Sequence, residues 1–110
     1  EDAIEGYLVN MVLAINYDDY SYVAPYIEKN SPLMDSQLKL IAHLNSKGTK
    51  EELLSYDIKD IHHVKDHIYE AIVKEEHRIF YESGEQKDVS NQWTYTLVWN
   101  GEQALLTNLK

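Results

Sequence analysis

The sequence predicts an α+β fold: three N-terminal helices packed on a curved four-stranded antiparallel sheet. Hydrophobic residues recur with a helical period up to Gly48 and with a period of two beyond it. Turn signals then divide the second half at Lys65-Asp66, Ser83-Gly84 and Asn100-Gly101, the spacing of a meander. Helices segregated from an antiparallel sheet define the class.

The first helix is expected over Asp2 to Tyr17, where Ile4, Leu8, Met11 and Ile15 form one stripe. Tyr7, Val12 and Ala14 widen it, so other structure should wrap more than one side. Asp18 and Asp19 end the helix and offer caps. A second, short helix is expected over Ser21 to Glu28, with Val23, Tyr26 and Ile27 inward and Pro25 in its first turn. Ser31-Pro32 starts the third as N-cap and first helical residue, and Asp35 suits the dipole there. Leu33, Gln37, Leu40 and Leu44 share one face of it; Met34, Leu38 and Ile41 share the next. Lys47-Gly48 closes it, with glycine at the left-handed position.

In the first strand Leu54, Tyr56 and Ile58 alternate with polar residues, and Ile61 breaks the alternation. A bulge is therefore expected near Lys59 or Asp60. Tyr69, Ala71, Val73, Glu75, His77, Ile79 and Tyr81 line one face of the second strand. The third runs from Val89 to Trp99, with Trp93, Tyr95, Leu97 and Trp99 on one side. The last, Gln103 to Leu109, carries Leu105 and Leu109 on one side and Ala104 and Leu106 on the other.

The 110 residues amount to one domain, 1–110. With 44% hydrophobic and 26% charged residues, a disordered tail is excluded. No apolar run approaches the ~20 residues that cross a bilayer, and no signal peptide is evident. An opening Glu1 in place of Met is expected of a processed chain or an excised domain. The net charge of −9 opposes nucleic-acid binding and adhesion to anionic lipid; it favours a neutral or cationic partner. No cysteine is present, which removes disulfides, thiolate metal sites and a cysteine nucleophile.

The helix–sheet order resembles the nuclear transport factor 2-like fold, the cystatin-like or ketosteroid-isomerase cone. Closer features narrow the resemblance: Asn10 to Asn16, Tyr20-Ser21 with Val23 and Pro25-Tyr26, and Asn30-Ser31-Pro32. To these are added Lys47 to Tyr56, the charged strand with Glu75 and Ile79, and Tyr95-Thr96-Leu97. Nearly the whole chain is similar to the C-terminal domain of the TcaA/YvbJ family of Gram-positive membrane proteins. The resemblance implies an extracytoplasmic domain of a protein with a cytoplasmic zinc ribbon and one transmembrane helix. It further implies a link to cell-wall stress, glycopeptide susceptibility and wall-polymer handling. Neither the zinc-ribbon cysteines nor the membrane helix falls within this chain.

Four groups are candidates for function. Tyr17, Tyr20, Tyr22 and Tyr26, beside Asp18 and Asp19, could stack on sugars or dock a peptide; the plainer reading packs two or three of these rings under the sheet. His62, His63 and His67, with His43 and His77 elsewhere, match no metal spacing and read as a solvated hairpin end. Glu75 and His77 share a face that looks into the cavity of a cone fold, the raw material for proton transfer. Against this, the Glu75-Glu76 run and the acidic N-terminus read as solvated surface, and cross-strand ion pairs account for neighbouring charges. Trp93 and Tyr95 are expected in the core, whereas an exposed Trp99 would mark an interface.

The expected function is a non-catalytic extracytoplasmic binding domain that engages a wall component or partner protein through the cleft between the first two helices and the curved sheet. Tyr17, Tyr20, Tyr22 and Trp99 are the expected ligand-binding residues. No catalytic residue, metal or cofactor is expected, the membrane is met only through an anchor outside this chain, and a homodimer through the sheet face is conceivable. The alternatives are a small-molecule carrier or ketosteroid-isomerase-like enzyme using Glu75 and His77, and a dimerisation or spacer module.

Overall fold

The computed structural model describes residues 2–110; the acidic N-terminus expected as solvated surface lies outside the side chains described. Two α-helices precede four strands: α1 (Asp2–Tyr17), α2 (Pro32–Ser46), β1 (Lys50–Lys65), β2 (Ile68–Phe80), β3 (Gln86–Trp99) and β4 (Ala104–Leu109). The sheet order is β1-β2-β3-β4, antiparallel throughout.

The expected second helix does not form. Its residues make two single 3-10 turns, Tyr20–Tyr22 and Ala24–Tyr26. The Asp19 carboxylate caps the first by accepting from the Ser21 N–H at 2.9 Å. Pro25 has no N–H to continue an α ladder, and from Ile27 the chain is extended. It lies parallel to β4, with the Glu28 N–H donating to the Leu106 carbonyl at 2.9 Å. Val23 and Ile27 are buried as expected.

The other helices follow their sequence signals. Ser31 Oγ accepts from the Met34 N–H at 3.2 Å, and Gly48 ends α2 at φ +66°. In α1, Ile4, Tyr7, Leu8, Met11, Ala14 and Ile15 are buried. In α2 the buried residues are Leu33, Gln37 and Ile41. They meet Ala71, Val73, Tyr95, Leu97 and Leu106 on the inner face of the sheet.

Bulges reset two faces that simple alternation misassigned. The expected bulge lies between Ile58 and Asp60, and a further shift between Leu53 and Ser55 makes Leu54 the extra residue. Leu53 therefore points inward and Leu54 is exposed. In β4 the pairing passes from Leu97↔Leu106 to Thr96↔Asn108, which leaves Thr107 unpaired. Leu106 and Leu109 consequently share the inner face instead of opposing each other.

Candidate binding cleft

A cavity of about 210 Å³ lies between the two helices and the inner face of the sheet. Its apolar wall comes mainly from Leu8, Met11 and Ile15 of α1 and from Ile79, Val89 and Trp93 of β2 and β3. Leu40 and Asn91, both exposed, stand at its mouth.

A polar cluster sits on this wall. Alternation along β2 turns Glu75 and His77 inward together, as the sequence implied. Glu75 is 4% exposed, which corrects the solvated reading of the Glu75-Glu76 run; only Glu76 is exposed. Tyr95 on β3 donates its hydroxyl to Glu75 Oε2, and His77 Nε2 lies 3.1 Å from Oε1. Both carboxylate oxygens are thus held by neighbours. On β1, Glu51 Oε1 lies 3.5 Å from His77 Nδ1, too long for a good hydrogen bond. That nitrogen is buried and has no hydrogen-bond partner among the described residues. Above the cluster the Tyr7 ring meets Tyr95 edge-on at 5.4 Å, and Gln37 Nε2 donates to the Tyr7 hydroxyl at 2.7 Å.

Burial and charge tune these groups in distinct ways. The hydrogen bond to Glu75 raises His77 above the usual histidine range, against the opposing effect of burial and with help from Glu51. Burial raises the Glu51 carboxyl, while His77 pulls it back down. The Tyr7 and Tyr95 phenols are pushed well above their ordinary range by burial, so both are neutral hydrogen-bonding groups.

The remaining sequence candidates lie elsewhere and do not form one surface. Tyr17 and Tyr22 are exposed and pair at 5.7 Å between ring centres. Tyr20 and Tyr26 are half-buried against the core. Trp99 is 42% exposed and lines an apolar groove with Ile4, Ile61, Tyr69, Leu97 and Ala104. Tyr17 lies thirteen residues beyond Ile4 on α1, about 20 Å away along the helix, so Trp99 and the tyrosine pair occupy opposite ends. Trp93 lines the cleft and Tyr95 is core. His62 contacts Asp60 and Glu70 at 2.9 and 3.2 Å, and His63 lies 2.6 Å from the Asp66 carbonyl. No group of three or more potential ligands is placed to hold a metal among the described residues. Glu51 and Gln37 were missed as site residues. The signal for Glu51 was its parity with Leu53, obscured by the bulge at Leu54.

A family model described as the TcaA protein NTF2-like domain matches residues 1–110. The chain belongs to this family. It is 30% identical over 108 residues to the Bacillus subtilis (strain 168) protein described as uncharacterized membrane protein YvbJ. That match covers 96% of this chain and 17% of the relative, so the TcaA-type NTF2-like domain spans a small part of that protein's length. Among solved structures, the intermembrane space region of chloroplast protein ARC6 superposes with a TM-score of 0.80 at 12% identity. It covers all of this chain and 91% of that one. A ketosteroid isomerase-like protein from Erwinia carotovora atroseptica gives 0.70 at 12% identity, over 98% and 91% of the two chains. A Nostoc punctiforme domain with a cystatin-like fold gives 0.66 at 13% identity, over 98% and 73%. Identities this low show a shared fold alone. No helix among the described residues is long and apolar enough to cross a membrane.

Proposed function

We propose that the chain is a non-catalytic binding domain of a longer, membrane-anchored envelope protein. It is displayed on the extracytoplasmic side and holds part of a wall component or partner protein in the helix–sheet cleft. The supporting observation is the cleft itself: an apolar wall ending in a buried polar cluster, the form of a small-ligand site. Family membership and the membrane relative support the setting. The lack of catalysis is argued from Glu75, the strongest candidate base, whose two oxygens are occupied by Tyr95 and His77. A wall polymer of high negative charge suits a −9 domain poorly. A peptidoglycan stem, an alanylated polymer or a basic protein segment suits it better.

One observation favours a second reading. A buried carboxylate beside an imidazole can move a proton, and Glu75 and His77 are so placed in the cleft. That reading requires Glu75 to exchange its Tyr95 or His77 contact for substrate.

The test is an NMR titration of the labelled domain with soluble peptidoglycan fragments, then with wall teichoic acid, at physiological salt. Saturable shifts are expected at Trp93, Val89 and Leu40. Shifts confined to Tyr17 and Tyr22, or to Trp99, would move the site to those surfaces. No shift at millimolar ligand would overturn wall binding by this domain.

A further inference from the structure

We infer that the cleft is a receptor for an alkylammonium group: a primary amine, carried on a short apolar stem, seated against the Glu51 carboxylate. This rests on the cleft-binding reading above and names the chemistry of what the cleft takes.

Charge is the first ground. The cleft lining holds Glu51, Glu75 and His77, and neither lysine nor arginine. Two carboxyl groups share one imidazole inside an apolar wall. A ligand cation would pair with Glu51 and favour its ionised form against the burial that raises it, and buried charges are tolerated when they are paired. An anionic ligand would face both carboxyl groups.

Geometry is the second ground. Glu75 has both oxygens engaged, but among the described residues the Glu51 carboxylate has only the 3.5 Å approach of His77. Its side chain is 17% exposed, so it is largely withdrawn from water, and no described residue offers it a donor closer than that. The Asn16 side chain fixes the Glu51 backbone at both ends, accepting from its N–H at 2.9 Å and donating to its carbonyl at 2.8 Å. Glu51 is thus a positioned acceptor at the polar end of the cleft. An ammonium carries three donors and no acceptor, which suits the Glu51 carboxylate.

The walls supply the third ground. The rings of Trp93, Tyr7 and Tyr95 line the same cavity, and aromatic faces attract cations. Met11, Ile15, Ile79 and Val89 offer an apolar channel for the stem. A space of about 210 Å³ is below the range of a drug-sized ligand, roughly 300–1,000 Å³. It suits a chain of side-chain dimensions.

The test uses three probes of equal length, hexylammonium, 1-hexanol and hexanoate, titrated at pH 7.0 into the labelled 1–110 chain and its Glu51→Gln variant. The Trp93 indole and His77 ring signals report binding. Hexylammonium is expected to bind at least about tenfold more tightly than hexanol, the size of one charge-assisted hydrogen bond, and hexanoate to give no saturable shift. Glu51→Gln should remove the preference for the ammonium while hexanol binding persists. An unchanged spectrum away from the cleft shows that the variant is folded; if it is not, the three-probe ranking in the wild type decides. Equal binding of hexylammonium and hexanol overturns the ammonium assignment and leaves the cleft reading standing. Wall fragments that shift the cleft while hexylammonium does not have the same result. Silence from both probes and fragments overturns the ammonium assignment and wall binding together.

Discussion

Glu51 and His77 set the electrostatics of the cleft. His77 faces Glu75 on its own strand, Glu51 from β1, Tyr7 from α1 and Tyr95 from β3, with uncharged Gln37 reaching in from α2. Its proton is favoured first by the Glu75 hydrogen bond. A histidine whose folded pKa is raised stabilises the fold fully below its unfolded pKa, near 6.5, and that contribution is lost as pH rises through the folded value. Glu51 acts in the same direction, because burial raises its carboxyl and the folded state therefore also holds this proton to higher pH. Urea unfolding at pH 5.5 and 8.0 checks the sign. The wild type is expected to lose more stability over that interval than His77→Gln; equal losses would remove His77 from the account. The two groups interact closely, so the observed midpoints belong to the pair.

Packing between elements shows what periodicity can and cannot reveal. The stripe of α1, the Ser31-Pro32 start of α2 and the inner face of β2 were all legible, since each follows from a local period or cap. The segment after Asp19 was not. Its buried residues, Val23 and Ile27, fit a short helix equally well, and its path is decided by Pro25 and by pairing with distant Leu106. Gly6 shows the same limit. In an isolated helix, Gly→Ala is stabilising by about 1 kcal/mol. Here a Cβ on Gly6 would fall 2.3 Å from the Tyr26 ring, so the 3-10 turn lies directly on α1. Gly6→Ala is therefore expected to destabilise by about 1–3 kcal/mol, the typical result of overpacking. Chemical denaturation measures it, and a stabilised variant would show that the ring moves aside freely.

The molecule places its three candidate surfaces far enough apart to be tested separately. The tyrosine pair stands at the end of α1, the Trp99 groove at its beginning, and the cleft between them against the sheet. The sequence suggested the cleft's inner pair, Glu75 and His77, because both sit on one strand two residues apart. Glu51 comes from another strand and depends on a bulge, and Gln37 reaches the cluster only through Tyr7; neither relation is written in local spacing. The outer face of the sheet is polar towards one end, with Lys74, Glu76 and Gln92 exposed and Arg78 paired to Asp88 at 2.8 Å, and carries a half-buried apolar row, Ile68, Val98 and Leu105, across three strands at the other. The cleft is thus the strongest claimant for the domain's ligand. The most direct measurement repeats the wall-fragment titration on Val89→Trp, which fills the cleft opposite His77, and on a Tyr17→Ser, Tyr22→Ser double variant. Binding is expected to be lost in the first and kept in the second. Binding that survives a filled cleft and disappears with the two tyrosines would contradict the account.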